Sequence, residues 1–223
     1  MAVIWSSVAR KLFNGITGLM LATFVLVHLI GNLALYVGPE EFNSYSHFLL
    51  SLGGLLIAFE VGLVTVILIH IICAVCVWLS KQIARPKRYS MVKSAGGASH
   101  KTFSSVTMIY TGILILLFLV LHIKNFKYGP NYIVSYEGQE MRDLYRLVVD
   151  AFSQLDTMIF YVAIMILLGF HLRHGFWSAF QSLGMTHPKY SPIIYAVGYI
   201  FAVFIAVGFL AIPIWIYFTG GIQ

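Results

Sequence analysis

Five apolar segments, each long enough to cross a bilayer, constrain this chain more than any other feature. They fall at about 12–36, 54–79, 104–125, 157–180 and 193–218, and each meets the ~20 residues a helix needs to span the hydrocarbon layer. Inside hydrocarbon every backbone N–H and C=O must find a partner within its own element, so isolated runs of this length fold as helices. The expected fold class is all-α, a polytopic membrane protein of five transmembrane helices, with 1–223 forming a single membrane domain. The composition agrees, at 60% hydrophobic and 10% charged residues with a mean hydropathy of +0.88. No basic motif or soluble module points to a nucleic-acid partner; the partner that composition demands is the lipid bilayer.

Arg10 and Lys11 precede the first segment and give it the look of a signal peptide. Its apolar run outlasts the ~7 to 15 residues of a signal core and ends without a clean cleavage site, so it reads as a retained span. The small and polar group Asn14, Gly15, Thr17 and Gly18 near its start suits close helix packing. Pro39, Asn43 and Ser44 mark an expected loop, and 81–101 a basic loop broken by Pro86 and Gly96-Gly97. In the longest connection, 139–152 is amphipathic and predicts a short interfacial helix. Trp215 and Tyr217 suit an interfacial aromatic belt at the end of the fifth span.

Charge sets the expected orientation. Ten of the 14 Lys and Arg residues fall on the side of the N-terminus, against Lys124, Lys127, Arg142 and Arg146 on the other, where the acidic residues also collect. The positive-inside rule then makes the N-terminus cytoplasmic and the C-terminus external.

Four of the five spans carry a histidine, which in hydrocarbon must be neutral, paired or ligated. Spans alternate in direction, so His28 and His122 fall in the outer half and His70 and His171 in the inner half. At ~1.5 Å per residue the two levels differ by roughly 10 to 15 Å. Two bis-imidazole sites stacked across a membrane suit two haems, since imidazole offers a neutral nitrogen and two axial ligands leave no open position. Each histidine taken alone is equally well explained as a hydrogen-bonded packing residue or a proton relay. His174 competes with His171 on the fourth span; it and Arg173 are candidates to meet a haem propionate. His47, His100 and His187 fall in expected loops.

Cys73 and Cys76 are spaced like a redox pair but sit within an apolar span, where small core residues are the simpler account. Gly15, Gly18 and Gly31 fit packing and also leave room for a porphyrin. Glu60 precedes His70 by ten residues, ~15 Å outward along the span, near the outer pair. A carboxylate there is a candidate proton carrier for a quinone, or a boundary charge that snorkels to water.

Several stretches resemble the di-haem cytochrome b membrane anchor of succinate:quinone oxidoreductases, the type with a single five-helix anchor subunit. They are His28 in Leu26-Val27-His28-Leu29, then Glu41-Phe42-Asn43-Ser44 with His47-Phe48, His70, His122, and Phe170-His171 with Gly175-Phe176-Trp177-Ser178. The resemblance implies a haem-binding four-helix bundle plus a peripheral fifth helix. It implies two haem b, ligated by His28 with His122 and by His70 with His171, the latter chosen over His174 because it stands four residues before the glycine. It also implies a flavoprotein subunit and an iron-sulfur subunit on the cytoplasmic face of a bacterial-type membrane. Electrons from succinate would pass inward haem to outward haem and reduce a quinone, with menaquinone expected. The same parts run backwards would reduce fumarate. Some members carry a glutamate just before the fourth-span ligand, where this chain has Gly169-Phe170. The chain alone would have no dehydrogenase activity, holding no flavin or dicarboxylate site. The rival readings are a di-haem subunit of nitrate reductase or formate dehydrogenase type, and a proton-coupled transporter without haem.

Overall fold

The computed structural model describes residues 6–84 and 103–222. In chain order it contains α1 (Ser7–Asn32), α2 (Pro39–Ser51), α3 (Gly54–Ile83), α4 (Phe103–His122), a hairpin of β1 (Ile133–Tyr136) and β2 (Gln139–Arg142), α5 (Leu144–Phe152), α6 (Leu155–Ser182) and α7 (Ser191–Thr219). Among the described residues five helices are long and apolar enough to cross a membrane. The protein is thus an all-α, multi-pass membrane protein. Arg85, Pro86, Gly96-Gly97 and His100 of the expected basic loop lie outside the described residues.

Each span outruns its expected bounds at one end or both, the first only at its start. α1 continues as a 3-10 turn at Leu33–Tyr36 and α4 as a π-helical turn at Ile123–Lys127. α1 starts early because the Ser6 hydroxyl caps the amide of Ala9, satisfying one orphan donor of its first turn.

Two loop expectations change. The segment expected as a loop around Pro39 is helix α2: Pro39 opens it at a position where the missing N–H costs nothing, and Glu40 and Glu41 lie in its first turn, where they complement the helix dipole. His47 therefore sits on a helix, its ring nitrogen 3.0 Å from the Gln139 amide. The interfacial helix expected over 139–152 is shorter, because Gln139–Arg142 pairs antiparallel with Ile133–Tyr136. Asp143 then caps α5 by accepting from the amide of Arg146.

α2, the hairpin and α5 form a lid over one end of the bundle. Asn43, fully buried, ties it together: its amide donates to Asp143 at 2.9 Å, and its carbonyl accepts from the backbone N–H of Tyr145 at 2.9 Å.

Within the bundle, α1 packs along α3 and α6, α4 along α6, and α7 along α6, while α3 and α4 scarcely meet. Small residues set the close approaches of α7. A Cβ on Gly198 would stand 2.7 Å from Phe176, one on Gly169 2.9 Å from Ala206, and one on Gly208 2.6 Å from Leu29 of α1. Without a hydrophobic drive inside lipid, such close packing is what holds helices together. The gap left between α3 and α4 belongs to an interior that these two share with α1 and α6.

Candidate functional site

One large cavity, about 1420 Å³, fills the space enclosed by α1, α3, α4 and α6. It exceeds the ~300–1,000 Å³ of a usual small-ligand site, and its wall is mostly aliphatic and aromatic. His28, His70, His122, His171 and His174 all line it. Four separate spans thus deliver imidazoles to one apolar space.

At one level, His28 of α1 and His122 of α4 meet with ring centroids 5.8 Å apart and planes at 86°. Each is stacked by a phenylalanine one turn earlier on its own helix, Phe24 on His28 at 5.6 Å and Phe118 on His122 at 5.5 Å. The i, i+4 spacing makes these contacts inevitable on a helix. Phe209 of α7 closes the far side of His28 at 5.8 Å. The buried Tyr161 of α6 brings its hydroxyl 3.4 Å from Nδ1 of His122. The Asn32 amide stands 3.5 Å from either ring nitrogen of His28 while donating to that residue's own carbonyl at 2.8 Å.

The second level lies about three turns along α1, roughly 16 Å away. There Nδ1 of His70 approaches the hydroxyl of Thr17 at 3.2 Å, and Nδ1 of His171 approaches the hydroxyl of Thr111 at 3.1 Å. The residue after each threonine is glycine, and a Cβ there would stand 3.3 Å from Cε1 of His70 or 3.5 Å from Cε1 of His171. Gly18 and Gly112 are therefore the recesses in which these rings lie. Of the other small residues, Gly15 packs against the backbone of Ala179, and Gly31 against the ring of Tyr45.

Among the described residues no group of three or more His, Cys, Asp or Glu side chains could hold a bare metal ion. Two imidazoles at each level are instead the donor set for an iron that brings its other ligands with it, as haem does. His28 and His122, with rings 5.8 Å apart, would be the residues to hold one such group, and His70 and His171, lining the same cavity, those to hold a second.

The remaining candidates separate. His174 lies on the cavity wall, whereas the neighbouring Arg173 is exposed and holds its guanidinium 5.5 Å from the centre of the Tyr199 ring on α7. Glu60 lines the cavity and pairs with Lys127 at 2.5 Å, both side chains being near 40% exposed, so the pair sits at the rim. Cys73 and Cys76 are free thiols. His187 is exposed in the turn before α7.

Thr17, Thr111 and Tyr161 are the polar partners that sequence reading passes over, yet a signal for the first two is present. Residues 17–28 and 111–122 share one pattern, Thr-Gly-x5-Phe-x3-His, with the threonine, glycine, phenylalanine and histidine on one helical face. Residues 59–70 and 160–171 share a second, Phe-x-Val at the start and His at the end. In it Glu60 and Tyr161 occupy the same position. The pair α1–α3 and the pair α4–α6 are built on one plan. No protein-family model, curated protein or solved structure matches the chain.

Proposed function

We propose that the chain is the cytochrome b membrane anchor of a succinate:quinone oxidoreductase, holding two haem b groups and carrying electrons from an iron-sulfur subunit to a quinone, with menaquinone favoured. One observation carries the reading: four imidazoles from four spans line a single apolar cavity at two levels, and those of one level stand 5.8 Å apart. The two haems, when bound, supply reversible one-electron transfer across the membrane.

The chain's own residues do the rest. His28 with His122, and His70 with His171, offer neutral nitrogens from facing helices. Phe24, Phe118 and Phe209 exclude water around the outer pair. His174, on the cavity wall, would be the residue to meet a propionate, while Arg173 beside it in sequence lies against Tyr199. Glu60, at the rim and paired with Lys127, is the candidate proton carrier for quinone. By the positive-inside rule the N-terminus is cytoplasmic in a bacterial-type membrane. The flavoprotein and iron-sulfur subunits then dock at the end nearest His70 and His171.

Copurification from membranes, followed by succinate and fumarate assays with defined quinones, tests this function. The expected result is a three-subunit complex with succinate:menaquinone activity. A haem-containing chain that copurifies with a different oxidoreductase would move the assignment to another respiratory complex.

A further inference from the structure

We infer that Thr17 and Thr111 are positioning residues that fix the protonation of the two inner histidines, so that each presents Nε2 to a metal. The inference rests on the haem reading above and extends it to two residues that reading does not require. Both threonines are buried at 5% exposure. Each hydroxyl has a single hydrogen, and a backbone carbonyl of its own helix claims it. Thr17 donates to the carbonyl of Phe13 at 2.7 Å, shorter than its 3.2 Å approach to His70. Thr111 donates to the carbonyls of Met108 and Thr107 at 3.0 and 3.2 Å. The Thr111 hydroxyl stands 3.1 Å from Nδ1 of His171, between those two distances, and by the parallel with Thr17 a lone pair of its oxygen is assigned to the imidazole there as well. In that arrangement Nδ1 of His171 donates to Thr111, and Nδ1 of His70 donates to Thr17 beside the backbone carbonyl of Asn14, which also accepts from His70; the lone pair is left on Nε2. A relay of this kind, ring N–H to hydroxyl to carbonyl, both orients the ring and raises its basicity as a ligand.

The same device occurs twice. α1 supplies Thr17 and Gly18 to His70 of α3, and α4 supplies Thr111 and Gly112 to His171 of α6. In each case the threonine gives the acceptor and the glycine the space. The repeated Thr-Gly-x5-Phe-x3-His pattern places the outer ligand of α1 and of α4 three turns beyond its threonine. One helix thus contributes a ligand at one level and a ligand-holder at the other. The nitrogens of the outer histidines face Tyr161 and Asn32. The proposal therefore separates the two levels.

Redox titration and low-temperature EPR of the purified wild-type and of Thr17→Val, Thr111→Val, Thr17→Ser and Thr111→Ser variants test it. A methyl in place of the hydroxyl removes the acceptor at nearly constant volume. The expected result is retention of both haems, with the inner midpoint potential moved positive and its EPR signal displaced in each Val variant. The outer component should be unchanged, and Ser should restore wild-type values. The inner component is the one that His70→Ala abolishes. An inner potential and EPR signal unchanged in the Val variants, or both haems shifted equally, would overturn the inference and leave the haem reading standing. A wild-type chain without haem would end the haem reading itself. If a Val variant fails to accumulate, Thr→Ala against Thr→Ser provides the same comparison, with the outer signal reporting the fold.

Discussion

The imidazoles of His28 and His122, ninety-four positions apart in the chain, stand edge to face at 5.8 Å within an apolar cavity. Two neutral rings gain little from such a meeting in lipid, and an apolar pair would pack there without polar atoms to satisfy. Their juxtaposition makes sense as a shared ligand site. His28→Ala and His122→Ala should therefore each abolish the same single component of the reduced haem spectrum and leave the other. Loss of different components from the two variants would show that the rings serve separate sites.

On α6 the prediction discriminates between neighbours. Nδ1 of His171 lies against the hydroxyl of Thr111, while His174 lies on the wall one turn further along. His171→Ala should remove the inner component; His174→Ala should retain both haems and change only the inner potential. Optical redox titration of the two variants decides which imidazole is the ligand.

Glu60→Gln removes the charge from the rim while keeping its size. Quinone reductase activity should fall by about 10²-fold or more, the ~10²–10⁴ range typical of a lost acid–base group, with both haems and their spectra intact. Lys127→Gln, which opens the ion pair but keeps the carboxylate, should cost less. Full activity in Glu60→Gln would reduce Glu60 to a boundary charge tied to Lys127.

The seam between α1 and α7 can be tested without touching the cavity chemistry. Leu29 is fully buried, and a Cβ on Gly208 would stand 2.6 Å from its Cδ2. Gly208→Val should overpack this contact and cost about 1–3 kcal/mol, read as a lower thermal midpoint in detergent. Leu29→Ala in the same background should recover part of that loss.

The spans and the four histidines were legible because hydrophobic length and an ionisable group in hydrocarbon are local signals. α2 was not, since Pro39 reads equally as a loop breaker and as the first residue of a helix, and Asn43 earns its place only through contacts a hundred residues away. The hairpin was hidden for a similar reason: Met141, buried at 6% on β2, also fits the apolar face of a helix continuous with α5. Arg173 and His174 look interchangeable in sequence, and only the packing of α7 turns Arg173 toward Tyr199. Thr17 and Thr111 look like ordinary small residues at helix contacts. Their role depends on the helix each one faces, which no single segment reveals.

The most direct test of the central claim is a haem count on the purified chain, by reduced-minus-oxidised spectroscopy with dithionite and a quantitative haem assay. The account predicts b-type absorption and two non-covalently held haems per chain, falling to one in His122→Ala. A folded wild-type chain purified from haem-replete cells with no b-type absorption would contradict it, and the histidines would then have to be read as relays.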